Sequence, residues 1–316
     1  MADQTDVDPG IERWLERVAT LAAALPPATS MEQRRANAHT LSDDLAREFG
    51  IALDTRTEST DVEFPNGLRA RRHRPRGADG PLPTQVFLHG GGFVTGSAWE
   101  LLNDGILSER AARSGVQIYA LEYRLAPEHP YPAPIDDTLA VLHDLASEER
   151  WGADPARLGV GGGSAGGHIA AVTALRARTA PGPTLVHQLL EVPALSFRED
   201  WPSMIEYASA EERDGARQVA QAYRGGSTAA DEFFDPVEVA DLAGAAPAFV
   251  MTAERDPLRD GGEAYAQRLE KAGVPVVLRR AAGQLHGTPG LVTTVPSSRA
   301  WQEAAITALQ TGYAPG

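Results

Sequence analysis

The chain has 316 residues, 42% hydrophobic and 23% charged, a composition that excludes the disordered and fibrous classes and leaves an ordinary globular protein. A formal net charge of −14 argues against a nucleic-acid partner, whose phosphates require clustered Lys and Arg. The absence of cysteine excludes disulfides, zinc–thiolate sites and a thiol nucleophile.

Met1 to Gly10 is acidic and carries no apolar run of signal-peptide length. No later window approaches the roughly 18 uncharged apolar residues of a membrane span, so a cytoplasmic protein is expected. Residues 9–25 place Ile11, Trp14, Leu15, Val18, Leu21 and Leu25 at helical spacing before Pro26-Pro27, and Ser30 is positioned to cap a second helix through about Phe49. Residues 52–59 and 68–74 alternate like strands around the turn-forming Pro65-Asn66-Gly67, which predicts an antiparallel pair at a sheet edge. Within it, Arg69, Arg71, Arg72, Arg74 and Arg76 read as a solvated face.

From residue 84 strands and helices alternate, the pattern of a mostly parallel sheet covered on both faces. Strands are expected near 84–89, 116–122, 157–161, 185–192, 247–253 and 274–280. Helices are expected near 98–114, 134–149, 165–179, 260–272 and 297–311. Between the strands at 185–192 and 247–253 lies an insertion, about 197–240, with Trp201, Met204, Ile205 and Tyr207 on one helical face. An insertion there sits where a lid would be. The division read from this pattern is an N-terminal helical unit at 1–50, a catalytic body at 51–196 and 241–316, and a cap insertion at 197–240.

Four strand ends carry chemistry. The run Arg157 to Gly161 leads into Gly162-Gly163-Ser164-Ala165-Gly166, a fit to G-x-S-x-G, the strained turn that lifts a serine nucleophile above a parallel sheet. Alone it reads equally well as a glycine-rich strand-to-helix connection. Thr84 to Leu88 runs into His89-Gly90-Gly91-Gly92-Phe93, whose consecutive glycines expose backbone N–H groups suited to a tetrahedral oxyanion. Asp256 follows one late strand and His286 the next, so Ser164, Asp256 and His286 stand in the nucleophile, acid, base order of the α/β-hydrolases. An isolated Asp-Pro reads as a turn and an isolated His as structural; the agreement of three placements favours the catalytic reading. His89 is expected to brace the glycine loop, and His168 to be structural. Glu122 and Glu128 are expected to fix loops, and Tyr123 and Arg124 to join a network under the glycine loop. Asp136 and Asp137 have no ligand-spaced companions and suggest no metal.

His89 to Phe93, Tyr123-Arg124-Leu125-Ala126-Pro127-Glu128, the serine turn, Asp256-Pro257-Leu258 and His286-Gly287 together resemble the bacterial hormone-sensitive-lipase family of carboxylesterases, over roughly residues 80–290. The resemblance implies an α/β-hydrolase fold, a helical cap built from the N-terminal helices and the insertion after the sixth strand, and an oxyanion hole of the Gly91, Gly92 and Ala165 N–H groups. Three positions depart from the family pattern: Gly163 before the nucleophile, Gly261-Gly262 after Asp260, and Thr288-Pro289-Gly290 after the histidine loop. All lie beside the site.

The expected activity is ester cleavage through an acyl-enzyme, with a small-molecule ester as partner, no cofactor or metal, and a homodimer as the candidate assembly. Phe93, Trp201, Met204 and Tyr207 are candidates to line the pocket, with Tyr223, Phe233 and Phe234 as further apolar lid residues. Two rivals stand beside this reading. The same nucleophile could cyclise a substrate or cleave an amide, lactone or thioester, or the scaffold could bind a ligand without reaction. Retention of serine, aspartate and histidine speaks against the last.

Overall fold

In the computed structural model, residues 7–179, 181–226 and 231–314 are described. The first six positions of the expected 1–50 unit and positions 227–230 of the expected insertion lie outside them. The sheet is built on β3 (Leu82–Leu88), β4 (Gln117–Glu122), β5 (Ala153–Gly163), β6 (Leu185–Glu191), β7 (Ala248–Arg255) and β8 (Val276–Leu285). With β1 (Thr57–Glu63) and β2 (Arg69–Pro75) the strand order is β1-β2-β4-β3-β5-β6-β7-β8. β2 runs antiparallel to both neighbours, and all other pairings from β4 to β8 are parallel.

The central strands are apolar on both faces, as a sheet covered on both sides requires. Val86, Leu88, Leu121, Val160, Leu190 and Val250 point toward α4 (Ala133–Ser147), α5 (Ala165–Ala177) and α8 (Arg259–Lys271). Phe87, Ile118, Ala120, Leu189, Phe249 and Met251 point toward α3 (Leu101–Ser114) and α9 (Pro296–Gly312). Successive residues serving opposite clusters is the two-residue period of a strand.

The antiparallel edge pair occurs as expected but starts later, at Thr57 instead of residue 52. Asp54 takes its own turn: its carboxylate accepts from Arg56 N at 2.8 Å and its carbonyl from Thr57 N at 3.1 Å. Of the arginines of β2, Arg69 is exposed as expected, whereas Arg71, Arg72 and Arg74 are half-buried. Arg71 is bonded to Asp104 and Asp61, Arg74 to Gln117 and three carbonyls, and Arg69 lies over the Trp99 ring.

The N-terminal helices are α1 (Pro9–Ala24) and α2 (Met31–Phe49), the latter capped by Ser30 Oγ accepting from Gln33 N at 3.1 Å. They seal a small cluster of Ile11, Phe49, Leu291 and Val295 beside the segment that follows β8. Leu15 stands off the expected α1 stripe and is 44% exposed. After β6 come α6 (Pro202–Tyr207) and α7 (Ala210–Arg224), which carries a capping box between Ser209 and Glu212. α6 has only six residues, too few for a common apolar face. Met204 is buried, whereas Ile205 points outward at 63% exposure and Trp201 precedes the helix.

α5 passes close over the end of β3 because Gly166 lacks a side chain. A Cβ there would collide with the Leu88 carbonyl oxygen, a backbone atom that cannot swing aside. Gly166→Ala is therefore expected to lower unfolding free energy by about 1–3 kcal/mol, read as a lower urea midpoint with an unchanged denaturant slope.

Candidate active site

β5 delivers Ser164 directly onto the turn into α5. Its backbone sits at φ 55°, ψ −118°, a conformation that costs a non-glycine residue about 1–3 kcal/mol unless its surroundings impose it. Three bonds impose it: Ser164 N donates to the Glu191 carbonyl at 2.9 Å, while Ala194 N and His168 N donate to the Ser164 carbonyl at 3.1 and 3.2 Å. Glu191, the last residue of β6, is itself fixed. Arg110 of α3 grips its carboxylate bidentately at 2.6 and 2.9 Å, and Trp301 Nε1 of α9 donates to it at 2.6 Å. Arg110 Nε is in turn bonded to Gln302. All four side chains are buried.

Asp256 and His286 follow β7 and β8 and converge on Ser164. His286 Nε2 lies 2.9 Å from Ser164 Oγ, and His286 Nδ1 lies 2.9 Å from Asp256 Oδ2. The other carboxylate oxygen of Asp256 accepts from Leu258 N at 2.8 Å, and the side chain is 1% exposed. Burial pushes the His286 imidazole down, but the charge of Asp256 and its hydrogen bond outweigh this and raise it above its ordinary 6.5. The loop is stapled by Thr288, whose hydroxyl bonds Gln284 and Leu285, while Gln284 reaches Ser297 and Ser298 of α9. Thr288, one of the positions that depart from the family pattern, thus braces the histidine.

The loop after β3 brings Gly90 against the serine turn and Gly92 onto the cavity that Ser164 opens on. Among the described residues no acceptor is bonded to the N–H of Gly91, Gly92 or Ala165, and Gly92, Ala165 and Ser164 open on one cavity. His89 braces this loop through Nδ1 on the Gly90 carbonyl at 2.7 Å and stacks on Tyr123, whose hydroxyl donates to the His89 carbonyl at 2.8 Å. Arg124 belongs elsewhere, forked onto Asp137 of α4. Glu122 accepts from Ala98 N and Ser97 Oγ, and Glu128 pairs with Arg35 of α2, which also holds the Val94 and Ala126 carbonyls. His168 is buried, pushed down to about 4 by that burial, and bonded through Nδ1 to the Ala194 carbonyl. No metal-holding group of His, Cys, Asp or Glu occurs among the described residues.

Two cavities meet at the reacting atoms. One, of about 540 Å³, opens on Ser164, Gly92 and Ala165 and is walled by Phe93, Phe197, Met204 and Val219. The other, of about 450 Å³, opens on His286 and Asp256 between Trp14 of α1 and Tyr207 of α6. Met204, Ala216 and Leu258 belong to both walls. Of the four pocket residues expected from sequence, Phe93, Met204 and Tyr207 are on these walls. Trp201 is on neither; it packs near Gly261 under the Arg198 guanidinium. Tyr223 and Phe234 are buried in an aromatic cluster behind Phe93, and Phe233 lines a separate groove. Trp14 and the arginines of α7 went unrecognised, since no motif marks them; only the four-residue spacing of Arg213 and Arg217 hints at a shared helix face.

Residues 85–289 match the family described as alpha/beta hydrolase fold, and the chain belongs to it. The carboxylesterase NlhH of Mycobacterium tuberculosis is 35% identical over 302 residues, 93% of this chain and 92% of its own. The esterase LipI of the same organism is 38% identical over 234 residues, 72% of each. A bacterial heroin esterase of known structure matches with a TM-score of 0.83 at 32% identity, covering 95% of this chain and 98% of its own. The resemblance to the hormone-sensitive-lipase type accords with these relatives.

Two outcomes follow from the geometry. Because His286 must be neutral to take a proton and its pKa is raised, the acidic limb of the kcat/KM profile should lie above about 6.5. Asp256→Asn removes the raising influence while burial stays, so the limb should move down as kcat falls by about 10⁴; an unmoved limb in that variant would contradict the assignment. Glu191→Gln leaves a buried guanidinium without its counter-charge and should cost about 3–5 kcal/mol, measured by chemical denaturation.

Proposed function

We propose that the chain is a serine carboxylesterase that cleaves small-molecule esters through an acyl-enzyme on Ser164. The observation that carries this reading is the continuous hydrogen-bonded line from Asp256 through His286 to Ser164, both contacts at 2.9 Å. Ser164 Oγ attacks the ester carbonyl while His286 Nε2 takes its proton; Asp256 holds the ring with Nδ1–H inward and stabilises the imidazolium. The carbonyl oxygen becomes an oxyanion against the N–H groups of Gly91, Gly92 and Ala165. His286 then protonates the departing alkoxide, and water repeats the sequence to release the acid. Every step uses groups of this chain, and no cofactor or metal enters.

The position of each cavity supports a division between the two halves of the ester. The leaving oxygen must face His286, so the alcohol occupies the chamber of Trp14 and Tyr207, and the acyl chain occupies the one walled by Phe93 and Met204. α1, α2, α6 and α7 act together as the cap, with 51–196 and 241–316 as the catalytic body. The Asp256 loop ties α6 down: Ser203 Oγ donates to the Pro257 carbonyl at 2.9 Å and Asp260 accepts from Ser203 N at 2.8 Å. A homodimer and a cytoplasmic location belong to the same reading. The open edge of β8, with Val277 and Leu278 exposed, is the place where a second copy would pair, and light scattering tests it. No helix among the described residues is long and apolar enough to cross a membrane.

A fluorophosphonate should label the protein once, at Ser164, and Ser164→Ala should lose both label and esterase activity while unfolding at the same temperature; label on another serine would sink the proposal. Chelators should leave the rate unchanged. Deleting residues 1–48 removes Trp14 from the alcohol chamber and uncovers Phe49, Leu291 and Val295, so aggregation should rise. Efficiency on esters of bulky alcohols should fall more than on methyl esters, and equal losses would separate α1 from the substrate site.

A further inference from the structure

The acyl chamber has a composition that a pocket for plain alkyl chains does not need. Besides its apolar wall it is lined by Arg198, Arg213, Arg217 and Arg224, with Glu199 the one carboxylate among its lining residues. Four guanidinium groups against one carboxylate leave a formal surplus of three positive charges, in a chain whose net charge is −14. Two of the four are neutralised nearby. Arg217 bonds Glu199 at 3.2 Å and Asp214 at 3.1 Å, and Arg198 pairs with Asp200 at 2.8 Å and Glu238 at 3.7 Å.

The other two have no carboxylate partner among the described residues. Arg213 donates one bond, from Nη1 to the Ala208 carbonyl at 2.6 Å. The Arg224 guanidinium lies 4.4 Å over the ring of Phe234. A guanidinium carries five N–H donors, so both retain donors for a ligand. On α7, positions 213, 216, 217, 220 and 224 repeat at helical spacing, and all five line the chamber. Ala216 and Ala220 leave room between the arginines. A purely aliphatic acyl chain reaching the half-buried Arg213 would strip water from its guanidinium and return no hydrogen bond, which is unfavourable. A terminal carboxylate would match the planar donor pair of a guanidinium.

We propose that the substrate is the half-ester of a dicarboxylic acid, whose free carboxylate is drawn into the chamber by the unpaired guanidinium groups at the two ends of its α7 wall, Arg213 or Arg224 meeting it, while its ester carbonyl lies at Ser164. This rests on the esterase reading above. Hydrolysis consumes one water and releases the dicarboxylate, the alcohol and one proton.

Three p-nitrophenyl esters of equal chain length test it on the wild-type protein: hexanoate, the monoester of adipate, and 6-aminohexanoate, whose far ends are neutral, anionic and cationic. The expected order of kcat/KM is adipate, hexanoate, 6-aminohexanoate, with adipate favoured about fivefold or more over hexanoate. That preference should shrink as NaCl is raised, because partly exposed charges are screened. The double variant Arg213→Gln, Arg224→Gln should lower the adipate-to-hexanoate ratio toward one. If hexanoate is cleaved in a Ser164-dependent way but adipate is no better, or if the double variant keeps the full ratio, the dicarboxylate proposal is overturned and the esterase reading stands. If none of the three is cleaved, or cleavage survives Ser164→Ala, both readings fall.

Discussion

The backbone of Ser164 is the constraint on which the rest depends. A serine at φ 55° would relax into an ordinary helix start if left alone, and local sequence supplies no force to stop it. The restraint comes from β6 through the carbonyl of Glu191 and from the segment after β6 through Ala194 N. Glu191 is anchored across the sheet by Arg110 of α3 and Trp301 of α9. One backbone angle is thus coupled to two helices on the opposite face of the sheet from α5. Burying an ion pair is a weak source of net stability. Its value here is geometric, since a bidentate fork plus an indole N–H leaves the end of β6 a single position.

The remaining machinery is arranged around that fixed oxygen by short staples, each from a different element. Thr288 and Gln284 hold the histidine loop to α9, Leu258 N and the turn after β7 hold Asp256, and Tyr123 with His89 holds the glycine loop. Arg35 extends the pattern to the N-terminal helices by bonding two carbonyls beside the glycine loop. Such redundancy sets reacting groups within a few tenths of an ångström of a working geometry before a substrate arrives, where positional error is costly.

Much of this was legible in the sequence because its signals are local. The apolar runs at Val86 to Leu88 and Ile118 to Leu121, the glycine breaks at 90–92 and 162–166, and the chain order of Ser164, Asp256 and His286 need no knowledge of packing. Strand ends were harder. β5 begins at Ala153, where Asp154-Pro155 reads as a loop but a bulged register brings Ala153 opposite Leu82, and β8 continues to Leu285 through exposed arginines that carry no apolar period. The arginine-lined chamber beside Ser164 was illegible for a different reason. Which face of α7 looks inward is settled by where the insertion docks, and that depends on contacts such as Ser203 to Pro257 that join positions 54 residues apart. Trp201 and Ile205 were misplaced for the same cause: a six-residue helix pinned at its start has no period to read.

The shared wall of Met204, Ala216 and Leu258 between the two chambers has a kinetic corollary. On the proposed assignment, the alcohol's chamber stands open on the side of His286 once the alcohol has left, while the acyl group stays on its own side of the partition. The next acceptor therefore enters by the route the leaving group took. Water and any second alcohol compete at one doorway, shaped by Trp14 and Tyr207, and the outcome between hydrolysis and transesterification is decided there by size and concentration.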